Sequence, residues 1–411
     1  MYRMRLRPVV VVGAITALAL LAAACGPTPP PKGDFTGPTY GTGASDPSGF
    51  KDESKLWYHD GTWWSVMYDQ TAGDYFVFKL NKTTQVWSKT TTVLDTRASA
   101  HADVLFDGTK LYVLSHVFKE IAEVGATSVA NLYRLSYSGG NWTLDTGFPK
   151  TAFRGQMEEA TVAKDSTGRL WATWVEGAAV KYVTSADGTT WSAAATLPGL
   201  EASGNLLTDD ISTVTAFNGK VGIMWSAQKA NGFGTTSFYL ATHVDGAATT
   251  AWTTEIAQTG ASLADDHISL TASADGTLRA AVKTSLPNGT DPIVQLLSRT
   301  PAGVWSSATA WQRSDGVTNP VLVIDTTHST AVVFATNQDA GGDILRKTSP
   351  LTSPSFPAGA GEVAIDDPDT ASVVNHATAS KQAVTSATGL VVLASDDSDR
   401  TYWHHWDPLT S

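Results

Sequence analysis

The sequence predicts an all-β chain closed into a seven-bladed β-propeller of four-stranded antiparallel blades, with six blades as the alternative. Three observations lead there. A unit of roughly 50 to 60 residues recurs seven times, the period of a four-stranded blade. Each unit opens with a turn signal, mostly of Asp-Gly or Asn-Gly type, followed by a strongly apolar strand. Charged residues make up only 16% of the chain, Trp numbers 14, and no helical period of useful length appears. Stacked β-sandwich domains would lack so regular a period.

The chain begins with a different signal. Arg3, Arg5 and Arg7 precede an apolar run from Val9 to Leu21 and then Ala22-Ala23-Ala24-Cys25. A basic segment, a short apolar segment and small residues make residues 1–25 an export signal, since a membrane span needs about 20 apolar residues. Cys25 is the only cysteine. Its setting resembles the lipobox of bacterial lipoproteins, with Ala22 where leucine is preferred. Lipidation at Cys25 implies a cell-surface lipoprotein held to the membrane by lipid alone, and cleavage at Ala-x-Ala implies a secreted protein. Residues 26–49 are rich in Pro, Gly, Ser and Thr and read as a tether. Residues 50–411 carry the propeller. A net charge of −11 with 28 Lys and Arg argues against nucleic acid as a partner. A monomer is expected.

The units follow in order. Their first turns lie at His59-Asp60-Gly61, Phe106-Asp107-Gly108, Asp165 to Gly168, Phe217-Asn218-Gly219, Ala274-Asp275-Gly276, Thr326-Thr327-His328 and Ala387-Thr388-Gly389. The apolar second strands behind them are Trp63–Met67, Leu111–Leu114, Leu170–Trp174, Val221–Trp225, Leu278–Val282, Ala331–Ala335 and Leu390–Ala394. The seventh unit has room for three strands only, because few residues follow Trp406. A segment near Phe35–Thr42 is therefore expected to supply its fourth strand and close the ring, which removes an open sheet edge.

One hairpin is unusually explicit. Val180 and Tyr182 alternate into Ser185-Ala186-Asp187-Gly188, and a second strand is expected with Trp191 near its start. Asp187 can accept hydrogen bonds from the turn's own amides, and Trp191 can plug the hairpin base. The run Ser185 to Trp191 resembles the Asp-box of sialidase-like (BNR-repeat) propellers, one residue shorter than its commonest form, with a weaker echo at Ser138 to Trp142.

Polar residues then gather on the face opposite these turns. The mouths of the inner strands carry His101, Asp103, Glu158-Glu159, Asp209-Asp210, Asp265-Asp266-His267, Asn319 and Asn375-His376. Carboxylates held close around a funnel raise one another's pKa, which suits a general acid beside a base. The same oxygens suit a hard cation such as calcium. The catalytic candidates are Glu158, Asp210, Asp266, His101 and His267, with strand alternation sending Asp266 and His267 opposite ways. Candidates for substrate contact are Arg154, Lys283, His376 and Asn319, with Trp174 and Trp225 as sugar platforms. The sialidase resemblance implies three arginines on a carboxylate, an Arg-Ile-Pro motif and a Tyr–Glu pair. This chain has no Arg-Ile-Pro, and Arg279 falls inside a second strand, so a true sialidase is not expected. Seven-bladed propellers similar to it include ulvan lyases, whose use of His with Tyr, Lys or Arg beside a uronic acid implies roles for His101, His267 and Lys283. The expectation is an exported propeller acting on oligo- or polysaccharide, with hydrolysis ahead of elimination. A binding module on the same fold is the alternative.

Overall fold

Every inner and second strand faces neighbours on both sides, and that packing sets the architecture. The computed structural model describes residues 30–49, 51–118, 128–229, 234–337, 342–369 and 373–410. They form seven antiparallel sheets arranged as blades, each running from an inner to an outer strand. Blade 1 comprises Leu56–His59, Thr62–Asp69, Asp74–Asn81 and Val86–Val93. The inner strands of blades 2 to 7 are Ala100–Phe106, Thr161–Lys164, Ser212–Phe217, Ala264–Ala272, Val317–Asp325 and Val374–Thr378. In blade 2 the outer layer is split, with Asn141–Leu144 and Lys150–Gly155 both pairing with Ser128–Ser138.

The turns behave as their residues dictate. Asp60-Gly61 and Asn218-Gly219 are two-residue turns with positive φ at both positions (49° and 76°, 45° and 69°), the conformation that matches strand twist in a tight hairpin. Asp107, Asp165, Asp275 and Asp325 each accept a hydrogen bond from the amide two residues on. In the Asp-box turn, Asp187 Oδ1 accepts from the Thr189 and Thr190 amides at 2.8 and 3.0 Å. The hairpin differs from expectation in its second arm. The fourth strand is only Ala195–Thr196, and Trp191 lies in the preceding loop, packed against the core between blades 2 and 3.

Apolar side chains fill the spaces between neighbouring blades. Trp57, Trp64 and Trp142 pack between blades 1 and 2 with ring centroids 6.0 to 6.5 Å apart, and all three are fully buried. The ring closes as the sequence requires. Gly33–Thr39 pairs antiparallel with Thr401–Asp407, Gly33 opposite Trp406 and Phe35 opposite His404, and becomes the outer strand of blade 7. It starts and ends slightly earlier than expected. Cys25 and the export segment lie outside the described residues. No helix among the described residues is long and apolar enough to cross a membrane.

Candidate functional site

After its closing strand the chain runs across the funnel before entering blade 1. Tyr40 is fully buried and donates to the Asp396 carbonyl and to Asp397 Oδ1, both at 2.7 Å. Ser48 donates to the His376 carbonyl at 2.9 Å and to Ser395 Oγ at 2.8 Å. Lys51 to Lys55 then form the mouth of blade 1's inner strand. Ser54 donates its amide to Asp103 Oδ1 at 3.0 Å and its hydroxyl to the Ala379 carbonyl at 2.6 Å. This strap delivers four charged groups that sequence reasoning missed: Lys51, Asp52, Glu53 and Lys55. The signal was a run of five polar residues directly before Leu56, in a chain with few charges.

Lys51 is the centre of the arrangement. Its ammonium lies 3.0 Å from Glu158 Oε1 and also donates to Asp266 Oδ2. The Lys51 side chain is only 5% exposed, against 16% and 18% for its two carboxylates. One ammonium thus joins an acid from the mouth of blade 3 to an acid from the mouth of blade 5. Asp266 extends the network to His267, whose Nδ1 lies 2.6 Å from Asp266 Oδ1 and 3.5 Å from Asp265 Oδ1.

Strand alternation does not hold here, and a bulge is the reason. Ala264 pairs with Thr284, yet the next pair is Ile268 with Val282, so extra residues are pushed out of the ladder. Asp265, Asp266 and His267 therefore cluster, with ligating atoms within 4.8 Å of one another. Similar shifts follow Thr318 in blade 6 and Asn375 in blade 7. They put Asn319 and His376 into positive φ (51° and 52°), matched on the strap by Asp46 and Lys51 (50° and 53°). Left-handed backbone at non-glycine residues is costly and persists where the surrounding structure over-determines it.

The electrostatics separate the two acids. Burial raises Glu158 above the usual carboxylate range; Lys51 offsets part of this, while Asp266 and Asp209 add to it. Burial acts the same way on Asp266, but His267, Asp265 and Lys51 outweigh it and hold Asp266 well below that range. His267 is raised despite burial, chiefly by Asp266. Behind them, burial and the neighbouring Asp52 push Glu159 well above the usual carboxylate range, and burial raises Asp52 as well.

The other candidates fall in several places. Asp210 is 1% exposed and accepts from the Leu207 amide and Ser226 Oγ at 2.7 Å and from the Gln228 amide at 3.1 Å. Its partners all lie in blade 4 and the loop entering it. His101 is 7% exposed, faces His116 across the ladder, and is pulled down to about 3 by burial, which leaves it neutral. His116 in turn lies 2.5 Å from the buried Glu53. His376 Nε2 lies 3.1 Å from Asp46, and Asn319 donates to Asn375 Oδ1 at 2.8 Å. Lys283 Nζ lies 3.4 Å from Asp265 Oδ1. Arg154 is exposed on the outer strand of blade 2. Trp174 and Trp225 are corrections. Both are fully buried, Trp174 stacked on Phe153 at 3.8 Å and Trp225 on Tyr239 at 5.3 Å, so neither offers a ring face to a sugar. Arg279 is buried in blade 5, bonded to Ser273 and the Leu351 carbonyl, and takes no part in the funnel.

The fold is that of a seven-bladed β-propeller. No family model matches the chain, and no curated protein matches it. Solved structures do. The polysaccharide lyase Uly1 matches with a TM-score of 0.52 at 11% identity, over 87% of this chain and 90% of that one. A PL25 ulvan lyase bound to -[GlcA(1-4)Rha3S]- matches with a TM-score of 0.55 at 10% identity, over 90% and 95%. At these identities the likeness is one of fold.

Proposed function

We propose that the funnel is the active site of an exported glycoside hydrolase, with Glu158 and Asp266 as its working carboxyls. The observation that carries this is their arrangement on one ammonium with their proton affinities pushed apart. A buried carboxyl whose proton affinity is raised beside one held as an anion is the division of labour that glycosidic cleavage requires. Glu158 donates its proton to the leaving oxygen. Asp266, kept ionised by His267 and Lys51, faces the developing positive charge on the sugar. Their contacting oxygens share one ammonium and so lie within about 5 Å of each other, near the roughly 5–5.5 Å of a retaining pair. Retention of configuration is the outcome this spacing supports.

His267 fixes Asp266, and His376 and Asn319 lie on the rim where sugar hydroxyls would pass. Two neighbours with matching folds are polysaccharide lyases, one holding an acidic oligosaccharide, which supports glycans as the substrate class. Cys25 would tether the enzyme outside the cytoplasm. The test is incubation of the full chain with a panel of neutral and acidic polysaccharides. New reducing ends without an unsaturated product support hydrolysis. Near-ultraviolet absorbance from an unsaturated product would replace hydrolysis with elimination, and bound but uncut glycan would replace both with a binding role.

A further inference from the structure

Beside the Glu158–Asp266 pair lies a second polar cavity, of ≈ 210 Å³, that none of the chemistry above uses. Asp265, Lys283, Ser285, Ile293, Arg313, Gly316 and Val317 line it. Asp265 connects it to the pair, since it directly precedes Asp266 and belongs to the same bulge. The Asp265 carboxylate is already engaged: Ser285 Oγ donates to Oδ2 at 2.6 Å, and the Asp266 amide donates to Oδ1 at 2.9 Å. Lys283 stands against it at 3.4 Å with its side chain 19% exposed. Arg313 follows the outer strand of blade 5 on a short turn that Asp315 caps by accepting the Gln312 amide at 2.8 Å. Gly316, left-handed at φ 65°, ends that turn. Arg313 is exposed and its side chain makes no ion pair among the described residues. The cavity therefore holds one carboxylate and two cationic side chains.

That surplus is unexpected in a chain of net charge −11, whose field repels polyanions. A local pair of cations at the edge of an acidic funnel is what an anionic ligand needs to dock there. A guanidinium offers a planar fork of donors to two oxygens of one carboxylate or sulfate, and an ammonium adds a point charge. We infer that Lys283 and Arg313 form a subsite for an anionic substituent, carboxylate or sulfate ester, on the sugar next to the one being cut. The substrate class is then an acidic polysaccharide. This inference rests on the proposed glycan reading.

The test is calorimetric titration of the full chain with matched oligosaccharide pairs. An oligouronate against its carboxyl-reduced form isolates the carboxylate, and a sulfated oligosaccharide against its desulfated form isolates the sulfate. The expected result is at least tenfold tighter binding of one anionic member, lost in Lys283→Met/Arg313→Met. Arg313→Met alone should lose severalfold, and it guards against a folding explanation because Arg313 holds no ion pair among the described residues. Equal affinity within both pairs overturns the subsite, as does a preference that survives in the double variant. Cleavage of neutral glycans without any charge preference removes this inference and leaves the hydrolase standing. Charge-dependent binding without cleavage does the reverse. No binding of any oligosaccharide overturns both.

Discussion

Replacing Lys51 with methionine keeps most of the stem and removes the one charge shared by Glu158 and Asp266. The three side chains are between 5% and 18% exposed, so their charges are largely desolvated. Removing one partner from a buried ion pair costs about 3–5 kcal/mol, because the remaining charge is left uncompensated. The partial exposure of the two acids favours the lower end, about 3 kcal/mol. For a chain of this size that corresponds to roughly 4 °C in Tm. The pH dependence follows from the shifts. Asp266 is held below the ordinary carboxylate range, so its stabilisation is present above that range and fades as pH falls through its folded value. Glu158 is raised, so in the folded state it takes up its proton before an unfolded glutamate would. Without the ammonium both acids hold protons more tightly. The variant's deficit should be largest near pH 7, where two bare carboxylates would face each other, and should shrink as Glu158 protonates. Thermal melts of both proteins at pH 7 and near pH 4.5 measure this. An equal deficit at both pH values, or none at pH 7, refutes the bridge as an electrostatic element.

Three further outcomes are expected. Deleting residues 30–40 removes the outer strand of blade 7 and the fully buried Tyr40, a side-chain loss alone worth about 3 kcal/mol or more; a melt unchanged from the parent would show that the ring does not depend on this strand. Asp210→Asn places an amide group among donors already aimed at the carboxylate, costing about 1–3 kcal/mol at pH 7. Burial raises the parent Asp210 to about 6, so its contribution declines as pH rises from the ordinary value near about 4, and urea titrations should show the asparagine variant without that slope. Cys25→Ser should move the protein from the membrane fraction to the soluble one, since one lipidated residue is the anchor proposed, and unchanged fractionation would remove the lipoprotein reading.

What was legible in the sequence was whatever local chemistry decides. Asp60-Gly61 and Asn218-Gly219 need positive φ, the apolar runs behind them have the length of buried strands, and Asp187 caps its own turn. Those features gave the blade count, and the missing fourth strand after Trp406 pointed back to the N-terminal segment. What was not legible depends on contacts far along the chain. Lys51 meets Glu158 and Asp266 more than a hundred residues away, and no local pattern marks that meeting. The bulge at Asp265–His267 breaks the two-residue period of the strand, because ladder register is settled by the partner strand. Trp174 and Trp225 stand near strand ends, where a sugar platform is expected, but blade packing on both faces of those strands buries them.

The most direct test of the account is cleavage by Glu158→Gln and Asp266→Asn, measured on whichever polysaccharide the parent cuts. The account predicts that both variants melt as folded proteins and that each loses at least a hundredfold in kcat/KM, while Asp210→Asn retains most activity per folded molecule. Full activity in either Glu158→Gln or Asp266→Asn would contradict it.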